Sequence, residues 1–247
     1  MKILFIRHGV TQSNKEHRYL GLTDESLCDD GVEMLKREWE NGTYPDVSVV
    51  FSSPMKRCVE TAQIIFPENN PVIIPEWHEM DFGEFEMKNY LDLKDDPRYQ
   101  EWIDSNGTLP FPGGETRDEF IKRCLKGFER MCGLLPEDLI STRNDEVGEG
   151  CDSSESGYSD VVSSRNDETT VIGEKSEGNR SGDDDQKIIA VVVHGGTVMA
   201  LLCSLCGGEY FDYQPKNGRG YICKALPVNI EKGAASVALQ ISDAEVF

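Results

Sequence analysis

The sequence lacks any long apolar run. Its longest strictly apolar stretches, 188–193 and 198–203, are six residues each, against the roughly 20 that a bilayer-spanning helix needs. The opening Met1-Lys-Ile-Leu-Phe-Ile-Arg7 is too short in its apolar part for a secretory leader. Positive charge is also scarce. Lys and Arg total 25 against 45 Asp and Glu, a formal net charge of −20. A nucleic-acid binder needs a basic face to displace counterions, and an anionic membrane surface attracts one too. Neither partner is expected, and a cytoplasmic location is. Eight cysteines lie at positions 28, 58, 124, 132, 151, 203, 206 and 223. Without a leader they read as reduced thiols. Cys203 and Cys206 form a C-x-x-C spacing with no second ligand pair, so two positions on a buried helix is the plainer reading. Carboxylates at metal-ligand spacing are missing as well. Neither a metal nor another cofactor is expected.

The acidity is concentrated. Residues 141–186 hold 13 acids and 4 bases, a net of −9, with only seven apolar residues. Such a stretch cannot bury enough apolar surface to offset the entropy of ordering it. It reads as a disordered insertion within a single domain spanning 1–247, and a short linker is expected to substitute for it. Ser141-Thr-Arg-Asn-Asp-Glu146 resembles Ser163-Ser-Arg-Asn-Asp-Glu168, which suggests local duplication.

The remainder alternates strand and helix. Lys2–Arg7 reads as a buried strand, 29–39 as a helix and 48–52 as a strand. A helix follows with Pro54 at its first position, its stripe Met55, Cys58, Val59, Ala62, Ile65 and Phe66. Residues 72–74 form a short strand. Thr116 and Glu119 make a capping box opening a long helix, whose core face is Phe120, Cys124, Phe128, Met131 and Leu135. Residues 187–193 are the most apolar strand, 197–205 the next helix, and 221–226 and 237–241 the last strands. This order predicts a three-layer α/β/α fold with a mostly parallel central sheet.

Polar residues cluster at the predicted strand ends. Arg7-His8-Gly9 follows the first strand, and His194-Gly195-Gly196 follows the strand ending at Val193. Arg57 lies in the first turn after the second strand, and Glu79 five residues beyond the third. Ligands of open α/β sheets bind beyond the carboxyl ends of the strands, and helix N-termini there add amide donors. Taken singly, each has a bland reading: a packed histidine, a surface cation, a solvated carboxylate. Their convergence on one edge points to a phosphate pocket inside an acidic protein. His17 and His78 lack that context and read as surface residues, although His78 adjoins Glu79.

These stretches resemble the histidine phosphatase (phosphoglycerate mutase-like) superfamily. Arg7-His8-Gly9-Val10-Thr11-Gln12-Ser13-Asn14 is similar to R-H-G-x-T-x-x-N. Ser52-Ser53-Pro54-Met55-Lys56-Arg57, continuing to Thr61-Ala62, resembles S-S-P-x-x-R-x-x-x-T-A. Glu79 to Glu86 resembles E-x-x-x-G-x-x-E, with Met87 where the family usually has glycine. Val193-His194-Gly195-Gly196 resembles the second histidine motif. The resemblance implies His8 as phosphorylated nucleophile. It makes Arg7, Arg57 and His194 holders of the phosphoryl oxygens, with Asn14, Thr11 and Gly195 assisting, and Glu79 the proton donor. No metal and no cofactor are implied. Met87 is expected to reshape the pocket rim.

Tyr19-Leu-Gly-Leu-Thr-Asp24 and Pro112-Gly-Gly-Glu-Thr116 are similar to segments of α-ribazole phosphatases and their relatives. Asp81, Glu84 and Glu86 after the acid would disfavour a second phosphate. The implied activity is hydrolysis of small-molecule phosphate monoesters, α-ribazole phosphate among them. Phosphoglycerate mutase-type phosphoryl transfer and a non-catalytic phosphate-recognition module are the alternatives. Oligomeric state is not legible.

Overall fold

The computed structural model describes residues 1–140, 187–228 and 238–247. The acidic segment 141–186 and its expected insertion lie outside them. The elements run β1 (Lys2–Arg7), α1 (Gln12–Lys15), α2 (Asp29–Glu40), β2 (Val49–Ser52), α3 (Lys56–Ile65), β3 (Val72–Ile73), α4 (Tyr90–Leu93) and α5 (Pro97–Asp104). They continue with α6 (Arg117–Gly133), α7 (Glu137–Ile140), β4 (Ile188–Val193), α8 (Gly195–Cys206), β5 (Gly220–Val228) and β6 (Ala238–Val246).

The strands form one sheet in the order β3-β2-β4-β1-β5-β6. The first four are mutually parallel, and β5 and β6 extend one edge antiparallel. Side chains alternate across the sheet, as strand geometry requires. Ile3 and Phe5 of β1, with Ile189, Val191 and Val193 of β4, share a core with Phe120, Cys124, Phe128 and Met131 of α6 and with Leu201 of α8. Leu4 and Ile6, with Ala190 and Val192, meet Leu35 of α2 and Cys58, Ala62 and Ile65 of α3 on the other face. Both faces of β1 and β4 are therefore covered. That explains their unbroken apolar runs and gives the expected three layers.

Local signals set the helix boundaries. The Thr116–Glu119 capping box forms as expected, with the hydroxyl of Thr116 accepting from the Glu119 amide. Two starts differ from expectation. Lys56 opens α3 and Met55 is its N-cap, which puts Pro54 outside the helix. The turn holding it there is closed by the Met55 amide donating to Ser53 Oγ at 3.3 Å. Gly195 opens α8 with His194 as N-cap, so the helix starts two residues before Thr197. Among the described residues, no helix is long and apolar enough to cross a membrane.

Candidate active site

Strand register brings the sequence motifs together. Arg7 of β1 pairs with Val193 of β4, and Ser52 of β2 with Val192. The next residues, His8, His194 and Ser53, therefore emerge side by side at one sheet edge. The His8 amide donates to Val193 O at 2.9 Å, and the Ser53 amide donates to Val192 O at 3.0 Å. The rings of His8 and His194 sit 5.3 Å apart at 67°.

His8 is almost wholly buried, and its Nδ1 lies 2.7 Å from Gly9 O. Only a protonated Nδ1 can donate to a carbonyl, so Nε2 carries the lone pair. Burial, then the charges of Arg57 and Arg7, hold this imidazole well below the usual histidine range and thus neutral. The turn is locked from two sides. The Gly9 amide donates to Thr61 Oγ1 on α3 at 2.9 Å. Asn217 Nδ2 donates to the carbonyls of His8 and Gly9 at 3.0 and 3.2 Å.

Arg57, on the first turn of α3, is fully buried, with a relative exposure of 0%. Its guanidinium donates to the carbonyls of Thr23 and Gly21, each at 2.9 Å, and its Nε to His194 Nδ1 at 3.3 Å. His194 Nδ1 is then an acceptor, which leaves Nε2–H to donate to Ser53 Oγ at 2.8 Å. Burial first, then Arg57, keeps His194 neutral as well. Arg7 donates through Nη1 to Pro215 O at 3.1 Å. Its Nε is buried and has no partner among the described residues, a donor held out of water with nothing to bind.

Glu79 follows β3 through a tight turn at Pro75–Trp77. It is buried, and burial pushes its carboxyl above the usual range. The Met80 amide, then Arg57, Arg7 and the Gly196 amide, oppose that shift. Two features of α6 fix its backbone. Arg123 donates to the carbonyls of Glu76 and His78 at 2.7 and 2.9 Å and forks onto Glu115. Gly127 admits the Trp77 indole, which a Cβ there would strike. Neither residue carries a sequence signal: Arg123 is one cation among several on a long amphipathic helix. Asn217 had a faint one, the turn-forming Lys216-Asn-Gly218.

The remaining expected residues take more structural positions. Thr11 caps α1, its Oγ1 accepting from the Asn14 amide at 3.2 Å. Asn14 Oδ1 accepts from Thr11 N and from Asn217 Nδ2 at 3.2 and 3.0 Å. Gly195 sits at the first position of α8 against Arg7, with its backbone on the site edge. The acids after Glu79 are each held by a local partner. Asp81 accepts from the Gly83 amide, Glu84 pairs with Arg98, and Glu86 accepts from the amides of Gly21 and Thr23. Met87 adopts φ 60°, the left-handed conformation that glycine takes freely. Its backbone ties the segment at Tyr19 and Arg18, and it does not line the cavity next to Glu79. Among the described residues, no group of three or more His, Cys, Asp or Glu is placed to hold a metal ion.

Residues 3–141 match the family model described as "Histidine phosphatase superfamily (branch 1)", and the chain belongs to that superfamily. The match contains His8, Arg57 and Glu79; His194 lies beyond it and joins them through β4. The chain is 33% identical over 136 residues to the adenosylcobalamin/alpha-ribazole phosphatase of Escherichia coli, covering 53% of this chain and 66% of that protein. It is 28% identical over 152 residues to a 2,3-bisphosphoglycerate-dependent phosphoglycerate mutase of Neisseria meningitidis, covering 57% and 64%. The chain thus spans just under two thirds of these relatives. The alpha-ribazole phosphatase of Shigella flexneri shares the fold at a TM-score of 0.61 and 20% identity, over 98% of this chain and 95% of that one.

Proposed function

We propose that the protein is a metal-independent phosphatase of small-molecule phosphate monoesters, acting through a phosphohistidine. The observation that carries this reading is the state of His8. It is buried, neutral and tautomerically fixed, with its Nε2 lone pair free beside two guanidinium groups. In the proposed reaction Nε2 attacks phosphorus, and the bond to the leaving oxygen breaks. The intermediate is hydrolysed in a second displacement, which regenerates the imidazole. Arg7, through its unpartnered Nε, binds the phosphoryl oxygens with Arg57 and His194. Preorganised charge of this kind does most of the work in phosphoryl transfer. In this reading Asn14, Thr11 and Gly195 assist in holding the substrate. Glu79, whose carboxyl burial shifts toward the protonated form, gives its proton to the leaving alkoxide and takes one from the attacking water. The names of the relatives make α-ribazole phosphate one candidate ester.

The pH dependence follows from these shifts. Glu79 must carry a proton, so the rate on an alkyl phosphate should decline as pH rises through its elevated pKa. His8 stays unprotonated well below the ordinary histidine range, so its acid limb moves downward. A pH profile of kcat/KM checks this, with Glu79→Gln expected to lose the alkaline limb.

Gly196→Ala tests the seat of the acid. A Cβ there would lie 2.6 Å from Glu79 Oε1. The carboxyl has to move while the helix can stay. Displacements of this order at a reacting group cost about 10²-fold, so a fall of at least about tenfold on alkyl phosphates is expected with an unchanged circular dichroism spectrum. The whole reading is tested by screening phosphate esters for phosphate release with a chelator present. Release of phosphate supports it. Phosphoryl movement between two hydroxyls without release would make the chain a mutase, and binding without turnover would make it a recognition module.

A further inference from the structure

Next to Glu79 the structure forms a cleft of about 200 Å³ that the sequence motifs do not account for. Phe82, Trp102 and Phe111 line one part of it, and Arg117, Tyr210 and Phe211 another, and Glu79 and Gly196 belong to its lining. The rings support one another. Phe82 and Phe111 meet at 5.0 Å and 85°, and Trp102 and Phe111 at 4.8 Å. Arg117, at the start of α6, lies 4.8 Å from the Tyr210 ring and 5.1 Å from Phe211, and it donates to the Asn106 carbonyl. Its planar cation is thus already stacked and tethered. Among the described residues it is also the single basic one lining the cleft, which is a poor seat for a second phosphate.

We propose that this cleft binds the alcohol portion of the substrate, and that this portion carries a flat aromatic group of one or two rings and no second phosphate. The proposal rests on the phosphatase reading and narrows its substrate class. The position fits, because the group that leaves with the proton from Glu79 has to lie on the Glu79 side of the phosphoryl group. The size fits, because an apolar cavity of about 150 Å³ suffices for benzene. The chemistry fits, because planar groups gain from edge-to-face contacts with aromatic walls beyond the area they bury.

The test compares benzyl phosphate with ethyl phosphate, octyl phosphate and 3-phosphoglycerate. Benzyl and ethyl alcohol are leaving groups of similar acidity, so their ratio reports recognition. Benzyl phosphate should exceed the other three in kcat/KM by at least tenfold. In Phe211→Ala and Arg117→Lys, each checked by melting temperature, the benzyl-to-ethyl ratio should fall toward one. Equal use of benzyl and ethyl phosphate overturns the inference and leaves the phosphatase intact, as does preference for octyl phosphate or 3-phosphoglycerate. Absence of turnover on every ester overturns the phosphatase reading. Calorimetry with benzylphosphonate and methylphosphonate then judges the cleft separately: at least tenfold tighter binding of the benzyl compound upholds it, and equal binding overturns it.

Discussion

Replacing His8 with alanine is expected to abolish turnover, by at least about 10⁴-fold, the scale seen when a nucleophile is removed from a covalent mechanism. Among the described residues none is placed to take over. The one lone pair of the neutral His194 ring, on Nδ1, accepts from Arg57 Nε, which leaves Nε2 an N–H donor rather than a nucleophile. Cys58 lies 3.6 Å from His194 Nε2, but it is buried and its thiol is pushed up to about 12, so it holds no thiolate at neutral pH. Rapid quenching of the wild type with labelled substrate should trap phosphate on His8. The P–N bond should survive alkali and break in acid, and the variant should trap none. If His8→Ala kept most of the wild-type rate with an intact fold, a covalent route through this residue would be wrong.

The second large effect is expected at Glu79, and its size should depend on the ester. Glu79→Gln keeps the shape of the side chain but cannot donate a proton. General acid catalysis is worth about 10²–10⁴-fold, and a loss of that order is expected on ethyl phosphate, whose alkoxide is a poor leaving group. On nitrophenyl phosphate, whose leaving group needs little protonation, the loss should stay below about tenfold. Equal losses on the two esters would remove Glu79 from the role of acid and leave it a structural part of the pocket.

How far the sequence revealed this site depends on how each residue is placed. His8 and His194 were legible because apolar runs locate strand ends, and parallel register makes neighbouring strand ends adjacent. Arg57 and Glu79 were legible through motif spacing around those ends. Asn217 and Arg123 act through backbone carbonyls of residues distant in the chain, and no local pattern records such contacts. The aromatic cleft was hidden for another reason. Trp102, Phe111 and Tyr210 fall in no element or motif read from the sequence, and only packing leaves their faces around a cavity. Asp81, Glu84 and Glu86 read as a field repelling a second phosphate, and the structure adds the partners that hold them: backbone amides for Asp81 and Glu86, and Arg98 for Glu84.

The place of β4 in the sheet bears on how the protein is made. It lies between β2 and β1, yet its residues come late: Lys2 pairs with Ile188 and Val49 with Ile189. During synthesis at about 5–20 residues per second, β1 waits about 10–40 s for its partner. Until then β1 and β2 expose strand edges and apolar faces, the surfaces most prone to intermolecular pairing. Pairings this distant in sequence also slow the folding of the completed chain. A fragment ending near residue 140, although it holds nearly all of the family match, has no central strand to join its halves. Such a fragment should occupy chaperones and aggregate, whereas in the full chain the amides of β1 should become protected from hydrogen exchange soon after β4 is available.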